Sequence, residues 1–162
     1  MKLFLLIAVL TLASLMSSCG FQLRGVSNLP AALTQLQLID NALNADQVKQ
    51  LSDMLVKAGV KLQDTDANDP LQLKVEITSL PERNLADIAG TGKAIVQISK
   101  RLSYSVKNTE NIMPLQIKMI ERQINIEQDS NNLLGVESEK EIAERTLEKI
   151  LFSQLIFELE RL

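Results

Sequence analysis

The sequence predicts an α+β domain, a four-stranded mixed β-sheet with two α-helices packed on one face in the order β-α-β-β-β-α. Three observations lead there. The stretch "LQLKVEITSL" (71–80) alternates apolar and polar residues, the period of a strand with one buried face. Two other stretches repeat apolar residues at helical spacing, each with a capping signal near its start. The order of these segments, a strand and a helix followed by a run of strands and a closing helix, is that of an α+β layer architecture.

Residues 26–32, "VSNLPAA", hold Pro30 and read as a loop entering a first strand at Leu33 to Ile39, where Leu36 and Leu38 alternate with Gln35 and Gln37. After the turn "DNALN", Asn44 can cap a helix with Gln47 three residues on. Val48, Leu51, Leu55 and Ala58 then recur at helical spacing until Gly59 supplies the stop. A short apolar stub at Val60 and Leu62 and the polar tract "QDTDANDP" lead into the second strand, with Leu71, Leu73, Val75 and Ile77 on its buried face. "PERNLADIAGTGK" (81–93), with Pro81, Gly90 and Gly92, is predicted as a long loop, and long loops in small domains are commonly functional.

A third strand runs from Ala94 to about Val106, where Val96, Ile98, Leu102, Tyr104 and Val106 share a face that Lys100 interrupts. A fourth runs from Leu115 to Ile126. Its inward set changes phase, from Leu115, Ile117 and Met119 to Ile120, Ile124 and Ile126, which predicts a bulge near Met119. Beyond the polar loop "EQDSNNLLG", Ser138 and Glu141 form a capping box, and Glu141 can pair with Arg145. Ala143, Leu147, Ile150, Leu151 and Leu155 make the core stripe of the closing helix. Phe152, Ile156 and Phe157 widen its apolar face, toward the core or toward a partner. The opening strand-helix-strand unit predicts a right-handed crossover and a parallel pair, and the later strands an antiparallel meander.

Composition narrows function. The chain has no His and no Trp and a single Cys, so Ser-His and Cys-His nucleophile pairs, His-based metal sites and redox dithiols have no residues to build them. The carboxylates are scattered through turns and helix faces without a distinctive pair. The expectation is a protein that is not an enzyme and uses no cofactor and no metal. Without residues 1–18 the chain has 144 residues, one domain, with 16 basic against 20 acidic side chains. That balance argues against nucleic acid as a partner.

Residues 1–18 read as an export signal: Lys2, the apolar run Leu3 to Leu12, then small and polar residues. The run is too short to span a bilayer, which needs about 20 apolar residues. It ends in "LMSSC", which resembles the bacterial lipobox, with Met16 where Leu is usual. The resemblance implies cleavage between Ser18 and Cys19 and a lipid on Cys19, as S-diacylglycerol and N-acyl chains. Several chains hold firmly, since each buried methylene contributes about 0.8 kcal/mol. Gly20 after the cysteine implies the outer membrane, with the domain of residues 19–162 on the periplasmic side.

"CGFQLRG", 19–25, resembles the mature start of the lipopolysaccharide-assembly lipoproteins, the small subunits of the outer-membrane lipopolysaccharide translocon. Cys19, Gly20, Phe21, Leu23 and Arg24 match, and Gln22 stands where a His is frequent. That family has the element order read above. The resemblance implies a non-catalytic protein that plugs a large outer-membrane β-barrel, assists its assembly and promotes delivery of lipopolysaccharide to the outer leaflet. It also implies lipopolysaccharide contacts from basic residues before the third strand and before the last helix. Here these are Lys93, more distantly Arg83, and Lys140. The lipobox and an α+β domain alone would equally fit an independent outer-membrane lipoprotein that binds an amphiphile or assists another envelope assembly.

Overall fold

A computed structural model describes residues 29–40, 42–63, 71–107 and 117–162. The predicted signal, its cleavage site, Cys19 and the motif at 19–25 lie outside the described residues, as does the predicted strand start at Leu115. A 3-10 turn at Ala31–Thr34 leads into β1 (Gln35–Ile39). Helix α1 (Ala45–Lys57) begins with the predicted capping box: Asn44 Oδ1 accepts from Gln47 N at 2.9 Å, and Gln47 Oε1 accepts from Asn44 N at 3.0 Å. It ends before Gly59, whose φ of 91° is the left-handed conformation that glycine adopts without strain.

The apolar stub is a two-residue strand, β2 (Lys61–Leu62), parallel to β1. Strand β3 (Leu71–Ser79) also lies parallel to β1, as the strand-helix-strand reading requires. The 81–93 region departs from expectation, because it holds a strand, β4 (Arg83–Ile88). β3 and β4 pair one after the other with the same edge of the long β5 (Lys93–Lys107): Ser79 lies opposite Lys100 and Arg83 opposite Gln97. Between them Leu80 N donates to Ser99 O at 2.9 Å, and Pro81, which has no N–H, marks the break. All six residues of β4 are exposed, and its pairing shifts register between Asn84 and Ala86. A strand with no buried face and an interrupted period leaves no alternation in the sequence.

β6 (Lys118–Asp129) completes a six-stranded mixed sheet of order β2-β1-β3-β5-β4, with β6 on the other side of β5. Its register to β5 is unbroken from Lys93–Asp129 to Tyr104–Lys118, so the bulge predicted near Met119 is absent. Ile117 and Met119 are simply exposed, and Ile120, Ile124 and Ile126 are the inward set throughout.

Helix α2 (Leu133–Leu159) starts five residues before the predicted capping box, so Ser138 and Glu141 lie inside it. Asn132 supplies the cap, its Oδ1 accepting from Gly135 N at 3.1 Å. The early turns were silent because Leu133 and Leu134 face solvent. Glu141 does pair with Arg145, at 2.6 Å. Ala143, Leu147, Leu151 and Leu155 are buried as expected, whereas Ile150 is exposed, because the buried stripe of Leu147, Leu151, Leu155 and Leu159 advances around the helix and leaves Ile150 on its trailing side. Phe152 is fully buried, Ile156 packs against the core, and Phe157 is half exposed with Arg161 above its ring at 5.2 Å.

The main core joins Leu36, Leu73, Val75, Leu102 and Tyr104 of the sheet to Leu51 and Leu55 of α1 and Leu151, Phe152 and Leu155 of α2. Both helices therefore cover one face. On β5 that face is the even-numbered one, and the odd-numbered face is not covered by any described element.

Candidate functional site

Antiparallel residues directly opposite one another share a face. The register therefore places Gln97, Ser99, Arg101 and Ser103 of β5 on the uncovered face with Thr78 and Glu76 of β3 and Glu121, Gln123 and Asn125 of β6. This surface is polar and nearly neutral. Arg101 pairs across the strands with Glu121 at 3.0 Å, while Glu76 has no ion-pair partner among the described residues. Ser99 and Ser105 are nevertheless buried, small side chains on the central strand opposite the longer Gln123 and Lys74.

At one end of this face two turns meet. Gly90 and Gly92, with φ of 75° and 70°, close the β4–β5 hairpin. Gly92 O accepts from Ser130 N at 2.9 Å and from Ser130 Oγ at 2.8 Å, which ties the hairpin to the β6–α2 turn. A Cβ on Gly92 would lie 2.9 Å from Ser130 Oγ and 2.9 Å from Asn131 Nδ2, so closeness as well as φ calls for glycine. Leu133 and Leu134, 75% and 89% exposed, stand at the start of α2 beside this junction. Leu85 and Ile88 of β4 are exposed as well.

Of the three predicted basic residues, the structure brings Lys93 and Arg83 to the same outward face. They lie four positions apart along β5, roughly 13 Å at strand rise. Lys93 Nζ donates to Glu127 Oε1 at 2.5 Å, and that hydrogen bond and charge hold its pKa above the usual lysine value. Arg83 has no ion-pair partner among the described residues. Lys140 belongs to the helix layer, where Nζ binds Glu82 Oε1 at 2.5 Å. That pair, which raises the Lys140 pKa, joins α2 to the turn between β3 and β4. Among the described residues this end thus offers Arg83 without an ion-pair partner, Lys93 shared with Glu127 and four exposed apolar side chains, while Lys140 stands apart in the helix layer. The two leucines were missed because "NNLLG" reads as a polar loop, although adjacent leucines inside it were the available signal.

One charged cluster lies away from this end. Lys100, on the covered face, reaches Glu148 at 2.6 Å and Glu144 at 3.0 Å, and Gln47 of α1 donates to the same Glu148 oxygen at 2.8 Å. Among the described residues no group of three or more His, Cys, Asp or Glu side chains is placed to hold a metal ion. No helix among them is long and apolar enough to cross a membrane.

Neither a family model nor a curated protein matches the chain. Solved structures do. A minor lipoprotein from Acinetobacter baumannii superposes with a TM-score of 0.63 at 18% identity, over 80% of this chain and 94% of that one. The chain shares the fold of bacterial lipoproteins. The rare lipoprotein B from Shewanella oneidensis matches with a TM-score of 0.63 at 18% identity, covering 76% of this chain and 91% of that one. An uncharacterized lipoprotein B from Nitrosomonas europaea gives 0.56 at 16%, over 85% and 88% of the two chains. Coverage of 76–85% of this chain and 88–94% of those chains makes the likeness one of the domain rather than of a fragment.

Proposed function

We propose that this chain is a non-catalytic outer-membrane lipoprotein, anchored through Cys19 on the periplasmic side, that plugs a large β-barrel lipopolysaccharide translocon and assists its assembly. The observation that carries the reading is the uncovered polar face of the sheet. An antiparallel sheet commonly leaves one face to solvent, and here that face presents Gln, Ser, Thr and Asn with Arg101 paired to Glu121. Such a surface suits the polar interior of a wide barrel, whose lumen must be occupied to prevent leakage. The Cys-Gly-Phe-x-Leu-Arg start and the fold shared with lipoproteins support the same reading.

On this reading lipopolysaccharide is contacted at the end that holds Lys93 and the exposed Leu133 and Leu134, with Arg83 about 13 Å along the strand. Lipid A phosphates suit guanidinium and ammonium groups, and acyl chains suit leucine. The test is a pull-down through a C-terminal tag from mildly solubilised membranes, read by mass spectrometry. Stable recovery of a much larger outer-membrane barrel protein is expected. Recovery of the lipoprotein alone, with surface lipopolysaccharide intact after depletion, would point to an independent lipoprotein and sink the proposal.

A further inference from the structure

Strand β6 has one edge with no paired strand among the described residues. Which of its backbone groups face that edge can be worked out. Ser130, one step past the strand, donates its N–H to Gly92 O at 2.9 Å, and continuing the register puts these two directly opposite. In an antiparallel ladder, residues that point N–H and C=O at the partner alternate with residues that point them away. Even-numbered positions of β6 therefore bond to β5, and Glu121, Gln123, Asn125 and Glu127 turn theirs to the open side. Ser99, opposite Gln123, agrees: its carbonyl points the other way and accepts from Leu80 N.

Arg122 divides this edge. Its side chain lies on the α2 side, bound to Gln154 Oε1, and its second N–H group donates to Glu121 O at 2.8 Å. That carbonyl is satisfied, and an inward-pointing charge is one device that protects an edge from pairing. Gln123, Asn125 and Glu127 have no such guard. Between them Ile124 and Ile126 are only partly buried, against Ile98, Ala143 and Leu147. The opposite side of the strand is polar, with Gln123 and Asn125 exposed between Glu121 and Glu127, which are paired with Arg101 and Lys93.

We propose that residues 123–127 of β6 are a docking edge for an extended segment of a partner protein, which adds to the sheet as a further strand. Its alternate apolar residues would lie over Ile124 and Ile126, and its polar residues beside Gln123, Asn125 and Glu127 on the other side of the strand. Only a β-strand supplies donors and acceptors at the spacing of this row. A lipid would leave the three N–H groups unbonded. A second copy pairing through the same stretch would set Gln123 against Glu127 and Glu121 against Asp129, and the latter like charges repel at both ends.

The test uses the full chain in detergent and a capped seven-residue peptide, Val-Lys-Val-Thr-Val-Lys-Val, with amide hydrogen exchange read by NMR. In the free chain the amides of Gln123, Asn125 and Glu127 exchange fast, and those of Ile124 and Ile126 slowly. Peptide should slow the first three at least about tenfold and leave the other two unchanged. Asn125→Pro removes an outward N–H without touching the ladder to β5, and should raise the half-saturating peptide concentration roughly fivefold, the worth of one backbone hydrogen bond. The same peptide N-methylated at alternate residues cannot pair and should not protect, a result that holds whether or not the proline variant folds. Any of four results overturns the proposal: no slowing at millimolar peptide, equal slowing by the N-methylated peptide, three amides already slow in the free chain, or protection that grows with protein concentration without peptide.

Discussion

Replacing Lys100 with methionine isolates what a charge does inside this core. Lys100 is 4% exposed, on the covered face of β5, with Glu148 at 2.6 Å and Glu144 at 3.0 Å. Burial pulls the pKa of the ammonium down, but the hydrogen bonds and charges of Glu148 and Glu144 outweigh it and leave it raised. Methionine keeps the length of the stem, so the substitution opens no large cavity and removes mainly the charge. Glu148, whose side chain is 13% exposed, would keep only the Gln47 amide, whereas Glu144 at 32% can turn to water. Breaking a fully buried pair costs about 3–5 kcal/mol, so the expected loss here is about 2–4 kcal/mol. Adding Glu148→Gln relieves the stranded carboxylate and should recover about 1–2 kcal/mol. The assay is urea unfolding followed by circular dichroism at neutral pH, with unchanged slopes as the check on two-state behaviour. Because the folded pKa of Lys100 is raised, its contribution is fully present below pH 10.5 and falls as pH rises through the folded value; Lys100→Met lacks that decline. A loss under about 1 kcal/mol, or a double variant costing the sum of the singles, would refute the reasoning.

The Tyr104 hydroxyl is buried without a hydrogen-bond partner among the described residues, so Tyr104→Phe should raise stability by about 0.5–1 kcal/mol, and a lower melting temperature would contradict this. Tyr104 is also the one tyrosine in the chain, and burial, with a smaller contribution from Glu158, holds its pKa above 10.0; a tyrosinate absorbance titration should show that midpoint directly. Asn44→Ala removes the acceptor that caps α1 and should cost about 1 kcal/mol in urea unfolding. Cys19→Ala should leave a chain that carries no acyl chains and keeps residues 1–18, and acyl mass on that variant would remove the lipid assignment. Lys93→Glu should weaken lipopolysaccharide binding while the domain stays folded, and unchanged affinity would take Lys93 out of the site.

The sequence's periodicity reports burial, and it is most faithful where an element has a buried side, though it misplaced Ile150, a bulge in the fourth strand and the start of the first strand. The alternation of 71–80, the Asn44 capping box, and the Leu51 and Leu55 stripe all reappear in the fold, because each records contact with the core. Lys100 was visible as an interruption, and Glu144 and Glu148 stand in phase with Ala143, Leu147 and Leu151, so its partners were within reach of the same argument. What stayed hidden has no buried side: β4, the first turns of α2, and the exposed Ile117 and Met119 mistaken for an inward set. Ion pairs were hidden for a different reason. Lys93 meets Glu127 and Lys140 meets Glu82 through sheet register and helix placement, which no local pattern encodes. The silent elements are the ones left facing outward, and they lie where this domain offers apolar and basic side chains together. Local sequence period is therefore most informative about the core and least informative about the exposed surfaces. There the register of β5 with its neighbours, which sets the outward row and the open edge of β6 alike, has to come from the three-dimensional structure.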